Sequence, residues 1–208
     1  MAKSKTTTPT KSNNTASSSI GVSAEDILWR KRGSRYNAFG PPDADGKRSV
    51  LELTLKGTVL NSYLRAGALS HTVSIEVSQP DLERLKAFIK KAPEFDLKSY
   101  RWPIDGRVVK FTTRQELASE FKYVWNGVGI DLDDIDQRKK ISAGEVKDGR
   151  VVLVEYTPVP YAGREATDES DGFEPGCSLQ LLSIGVLEDD GSSGFDFDSP
   201  RKKRRMAE

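Results

Sequence analysis

The amino-acid sequence predicts a mainly β protein, a small mixed barrel with one or two helices, on three observations. Several stretches alternate apolar and polar side chains with period two, an Asp148-Gly149 dipeptide precedes an apolar run, and a single stretch repeats its apolar residues with helical period. Five or more strands at this spacing favour a sheet that closes on itself, because closure removes the unpaired edges. With 208 residues, 36% hydrophobic and 30% charged, the chain is long enough for one good core. That core is expected in a domain spanning residues 23–187, between an arm, 1–22, and a tail, 188–208.

The elements follow in order. Residues 1–22 are Ser, Thr, Lys and Asn with almost no large apolar side chain, a composition that cannot offset the entropy of ordering, so a disordered basic arm is expected. Ser23 and Asp26 have the spacing of a variant capping box, predicting a short helix through Leu28 and Trp29. Gly, Pro and Asp then predict a loop from Ser34 to Lys47. From Val50 to Leu60 leucines alternate with polar residues, a long strand in which Gly57 is expected to mark a bulge or sharp bend. His71–Ser78 is a second strand with Val73, Ile75 and Val77 on one face. Pro80 suits the first turn of a helix with Leu82, Leu85, Phe88 and Ile89 as its apolar stripe, ending before Pro93. Val108–Thr113 and Phe121–Trp125 are further strands, the latter with Phe121, Tyr123 and Trp125 on one side. Residues 141–161 read as a hairpin around Asp148-Gly149, and 162–175 as a loop. Cys177–Leu187, almost continuously apolar, is expected to be a central strand.

Composition narrows the function. The 32 basic and 31 acidic residues leave a net charge of +1, so nucleic-acid binding does not follow from the total. The distribution says more: residues 1–24 hold three Lys and no acid, and 25–39 hold four bases against two acids. One cysteine, Cys177, read as a small buried hydrophobe, excludes an internal disulfide or multi-cysteine zinc module and fits a reducing compartment. No signal-peptide-like start and no run of about 18 apolar residues is present, so a soluble, intracellular protein without membrane partners is expected.

Catalytic chemistry has little to stand on. The single histidine, His71, opens a strand with no motif around it and reads as an ordinary polar or half-buried residue. No nucleophile elbow, zincin pair, phosphate loop or dinucleotide fingerprint occurs. Asp131, Asp133, Asp134 and Asp136 fail as an EF-hand, with Asp136 where glycine is needed and Ser142 where the closing glutamate is needed. They read as an acidic turn, solvated or neutralising Arg138, Lys139 and Lys140, with a two-metal nuclease as a distant rival. No enzyme, cofactor or metal is expected.

Binding single-stranded nucleic acid needs cations that follow the phosphates and aromatic faces on which unpaired bases stack. Three segments interleave the two: Trp29, Arg30, Lys31, Arg35 and Tyr36; Arg101 and Trp102, followed by Arg107 and Lys110; and Lys122, Tyr123 and Trp125. Tyr156 and Tyr161 add rings further on. The same aromatics, where they alternate on a strand, suit a core equally well.

Pro175-Gly176-Cys177-Ser178-Leu179-Gln180-Leu181-Leu182-Ser183-Ile184-Gly185-Val186-Leu187 leads directly into Glu188, Asp189 and Asp190 and the Gly-Phe-Asp-Phe-Asp run of 194–198. Together with the long first strand broken by glycine, this order resembles the OB-fold single-stranded-DNA-binding proteins of bacteriophages and large DNA viruses, mainly over residues 141–198. The resemblance implies an OB-like β-barrel that coats exposed strands in replication, repair, recombination or transposition. It implies too that Phe195, Asp196, Phe197 and Asp198 recruit a polymerase or recombinase, and that the acidic tail competes with DNA for the groove. The chain departs from the phage pattern by continuing into Arg201, Lys202, Lys203, Arg204 and Arg205, a basic block that reads as a nuclear import address. The resulting expectation is a nuclear, sequence-tolerant binder of single-stranded DNA, with RNA and oligomeric state left open and an import receptor as partner. Its rivals are a β-rich protein-interaction adaptor, whose aromatics are core, and an RNA-packaging or capsid-like protein.

Overall fold

The computed structural model describes residues 26–93, 95, 100–113, 120–132, 134–163 and 172–187. The expectations for the arm 1–22 and the tail 188–208 fall outside these residues.

Five strands close a barrel: β3 (Leu53–Tyr63), β4 (His71–Val77), β6 (Val108–Thr113), β9 (Val151–Tyr161) and β10 (Gly176–Val186). Their circuit runs β9-β3-β4-β6-β10 and back to β9, with every pairing antiparallel except β6 with β10. Alternation explains the inside: Val73, Ile75, Val109, Phe111 and Val154 are fully buried, and their sequence neighbours are partly or fully exposed. The resemblance to an OB-like barrel therefore holds at the level of fold. The last strand is central, as expected, pairing with β9, β6 and β7 (Val124–Asn126).

The one α-helix among the described residues, α1 (Gln79–Ile89), joins β4 to β6. Ser78 caps it by accepting from the Asp81 N–H, Pro80 occupies the first turn, and Leu82, Leu85 and Ile89 are buried. The smaller strands β5 (Ile104–Asp105) and β8 (Lys139–Lys140) pair with β6 and β7.

Five local expectations are corrected. The segment predicted to be a helix through Leu28 and Trp29 is strand β1 (Leu28–Arg32), and the predicted 34–47 loop begins as β2 (Arg35–Phe39). The two form an antiparallel hairpin, closed at Gly33 with φ +63°, and tertiary pairing overrides a weak capping signal. In β3 the bulge falls between Val59 and Asn61; Gly57 stays in register with both Val77 and Val152. Glycine is needed there because a β-carbon would stand 2.5 Å from the Glu76 carbonyl oxygen. Residues 141–161 are not a hairpin: upstream of the Asp148-Gly149 turn lies a 3-10 turn, Ala143–Glu145, while β9 pairs with β3 and β10 instead. Finally, Phe121, Tyr123 and Trp125 share no strand face, since only Val124–Asn126 is extended and paired, and Val124 and Trp125 are buried in succession.

Candidate nucleic-acid interface

The outer wall formed by β4 and β6 is polar. Register sets Thr72 beside Thr112 and Ser74 beside Lys110, and Gln180 of β10 stands next to Thr112. Lys110 is exposed in mid-wall, held there because its neighbours Val109 and Phe111 are fully buried on the opposite face. Arg107 lies at the β6 start, its Nε donating to the Val77 carbonyl at 3.2 Å and its guanidinium 3.6 Å from Glu76.

At that end of the wall the chain gathers rings and cations from distant segments. Tyr161 pairs with Arg35, the Ala162 N–H donates to the Ser34 carbonyl, and Arg101 bridges to Gly176. Tyr161 lies across Gly176, where a β-carbon would be 2.5 Å from its hydroxyl, and its ring meets Phe173 at 6.1 Å. Burial raises the Tyr161 hydroxyl above its ordinary pKa, an effect opposed by the Arg101 guanidinium, so the phenol stays neutral beside a cation. Arg101 pairs at 3.5 Å with Glu174, both well exposed, a contact of about 0–1 kcal/mol that a phosphate can replace. Trp102 is half-buried, edge-on to Phe95 at 5.4 Å and to Tyr100 at 6.2 Å. On the β1–β2 hairpin, Arg30 lies 5.2 Å from the Phe39 ring centre and Lys31 lies 5.4 Å from that of Tyr36.

The opposite end carries a second ring–cation group. Tyr63 is 47% exposed with the Arg65 guanidinium 5.0 Å from its ring centre. Tyr123 is 55% exposed and follows the exposed Lys122.

The structure thus brings Arg35, Arg101, Trp102 and Tyr161 together at one end, places Lys110 and Arg107 on the wall, and sets Lys122 and Tyr123 at the far end. Three rings expected to stack bases are core instead: Tyr36 is 8% exposed, Trp125 4% and Tyr156 2%. Tyr156 packs on Phe111 at 5.0 Å inside the barrel, where its phenol is shifted upward by burial. Trp29 is half-buried against Phe88 at 5.9 Å. Sequence reasoning missed Tyr63, Arg65 and Phe173; Tyr63-Leu64-Arg65 carries the same aromatic–cation interleaving as the chosen segments, whereas nothing local marks Phe173.

Trp125 is a structural plate. Its ring lies on Gly185, under the Arg138 guanidinium at 4.3 Å, and its Nε1 donates to Ser183 Oγ at 3.0 Å. Ser183 Oγ in turn donates to Glu155, which takes Arg138 Nη1 at 2.6 Å. Arg138 is therefore paired with Glu155, while its Nη2 donates to the Leu132 carbonyl at 2.8 Å within the acidic turn, where Asp134 caps the 3-10 turn Ile135–Gln137. His71 is fully buried, contrary to expectation, and neither ring nitrogen has a hydrogen-bond partner among the described residues. Among the described residues no three His, Cys, Asp or Glu side chains are placed to hold a metal ion, and no helix is long and apolar enough to cross a membrane.

No protein-family model matches the chain, and no curated protein does. Among solved structures the chain is similar to gp2.5, a single-stranded DNA binding protein encoded by bacteriophage T7, at 16% identity over 66% of this chain and 91% of that one, with a TM-score of 0.39.

Proposed function

We propose that this chain binds single-stranded DNA, without sequence preference and without catalysis, along the barrel wall formed by β4 and β6. The observation that carries the reading is the placement of a ring and a cation at each end of a polar wall, Tyr161 and Arg101 both paired to Gly176 and Tyr63 stacked with Arg65, with Lys110 exposed between them. Strands 2 and 3 of an OB barrel and the loops flanking them are where such barrels take oligonucleotides, and β4 and β6 are the second and third of the five barrel strands in chain order. Bases stack on the tyrosines at about 1–3 kcal/mol each while the cations meet phosphates, so affinity falls steeply with salt.

The process served is replication, repair, recombination or transposition of a nuclear or virus-like genome. Arg201–Arg205 act as an import address and Phe195–Asp198 recruit a polymerase or recombinase, readings that rest on the sequence of the tail. Burial of Tyr36, Trp125 and Tyr156 favours one rival, an interaction adaptor whose aromatics are core. Fluorescence anisotropy of a labelled single strand, beside a duplex of equal length and across several salt concentrations, separates the two. Salt-sensitive preference for the single strand supports binding; no binding at low salt leaves the adaptor.

A further inference from the structure

We propose that the single strand does not end at Tyr63 and Arg65 but continues beyond the wall into a second groove, a phosphate-binding extension lined by Arg65, Lys122, Lys140 and Lys147. This rests on the proposed function above. Two adjoining cavities, each of about 560 Å³, share Glu120, Ser142 and Ala143 and open between the β3–β4 turn, residues 120–122 and residues 140–148. Each lies well inside the roughly 300–1,000 Å³ of single-ligand sites.

The walls are tied to the barrel. Leu64 accepts from the Phe121 N–H at 3.1 Å, the Val124 carbonyl accepts from the Ile141 N–H at 3.0 Å, and Ser62 Oγ donates to the Val146 carbonyl at 2.6 Å. The groove is therefore present before any ligand arrives. Ser142, Ala143 and Gly144 line it with short side chains that let a chain approach closely. The four cations are all exposed, and none is ion-paired with a described residue; the acids among the lining residues are two, Glu120 and Asp148. An excess of unpaired cations around a mixed polar and apolar trough suits a polyanion with flat bases more than a peptide. Tyr63 and Tyr123, both exposed, stand at the junction with the wall: Tyr63 ends β3, where it pairs with Thr72, and Tyr123 meets Phe121 edge-on at 5.9 Å.

The test compares two oligonucleotides, of about 6 and about 16 nucleotides, within the range one OB barrel covers. Salt titrations are run on the full chain, on Lys140→Ala/Lys147→Ala, and on the charge reversal Lys140→Glu/Lys147→Glu, with circular dichroism to show that each folds. The full chain should bind the longer strand more tightly and with a steeper salt slope. The alanine pair should remove about 1.4 from that slope, at about 0.7 per phosphate contact, and bring longer-strand affinity toward that of the shorter strand. Charge reversal should go further. A length gain that survives both variants overturns the groove, as does a full chain that gains nothing from length. Absence of binding to either strand overturns the proposed function itself, and the groove with it.

Discussion

Substituting Gly185 by alanine tests whether Trp125 is a core plate and not a base platform. A β-carbon at 185 would stand within 2.8 Å of Cη2, Cζ2 and Cζ3 of Trp125, against about 3.5–4.0 Å for a relaxed carbon contact. The ring must therefore retreat by about 1 Å. Its retreat is opposed, since Arg138 lies 4.3 Å from its centre and its Nε1 is bonded to Ser183 Oγ at 3.0 Å. Overpacking costs about 1–3 kcal/mol, and loss of the indole hydrogen bond adds about 1 kcal/mol. The sum of about 3 kcal/mol is a large share of the roughly 5–15 kcal/mol that holds a domain folded, and corresponds to a fall in Tm of about 6–12 °C. Urea titration followed by circular dichroism measures it. In a Trp125→Phe background, which withdraws the benzo ring, the alanine should cost under about 1 kcal/mol, the coupling expected of touching groups. A loss below about 1 kcal/mol in the parent, or an equal loss in both backgrounds, would refute the packing argument. Retained DNA affinity of Trp125→Phe, once folded, completes the case.

Further outcomes follow from the same geometry. Lys110→Ala should lower the salt slope of single-strand binding by about 0.7 and leave Tm within about 1 °C, because its side chain is exposed; an unchanged slope would take the wall out of the site. Glu155→Gln should destabilise by about 3 kcal/mol in chemical denaturation, since it strips the partner from a mostly buried Arg138 that also covers Trp125. His71→Leu should stabilise by about 1 kcal/mol by removing two buried nitrogens that have no hydrogen-bond partner among the described residues, and a loss of stability would show that the imidazole has a partner. Burial pushes the Cys177 thiol up to about 12, the Val159 backbone opposing the shift. The unfolded thiol ionises near its ordinary 9.0, so this stability is complete below pH 9 and falls between about pH 9 and 12 by up to about 1.4 kcal/mol per unit. Native-state thiol labelling should accordingly be slow, and fast labelling at neutral pH would contradict the burial.

The barrel was legible because its strands carry their instructions locally. His71–Val77, Val108–Thr113 and Gly176–Val186 alternate or saturate in apolar residues, and α1 announces itself by Ser78, Pro80 and an apolar stripe. The β1–β2 hairpin was not legible, since the Gly33-Ser34 turn lies between basic residues and its apolar contacts, Trp29 on Phe88 among them, come from elsewhere in the chain. The site divided in the same way. Aromatic and basic residues near one another in sequence marked the regions, but a ring near a lysine in sequence reads alike whether it faces solvent, as Tyr123 does, or lies buried beneath a guanidinium from elsewhere in the chain, as Trp125 does.

Sequence alone thus determined that the chain is β-rich, with one core, one amphipathic helix and basic–aromatic segments, because periodicity and composition are properties of short windows. Tertiary structure decided which of those rings remain exposed and which cations meet at one place. Arg35, Arg101 and Tyr161 become neighbours only when β2 docks on the end of β9 and residue 101 bridges to the start of β10. The cause is long-range strand pairing, whose register turns each side chain inward or outward over the whole strand and which no local window contains.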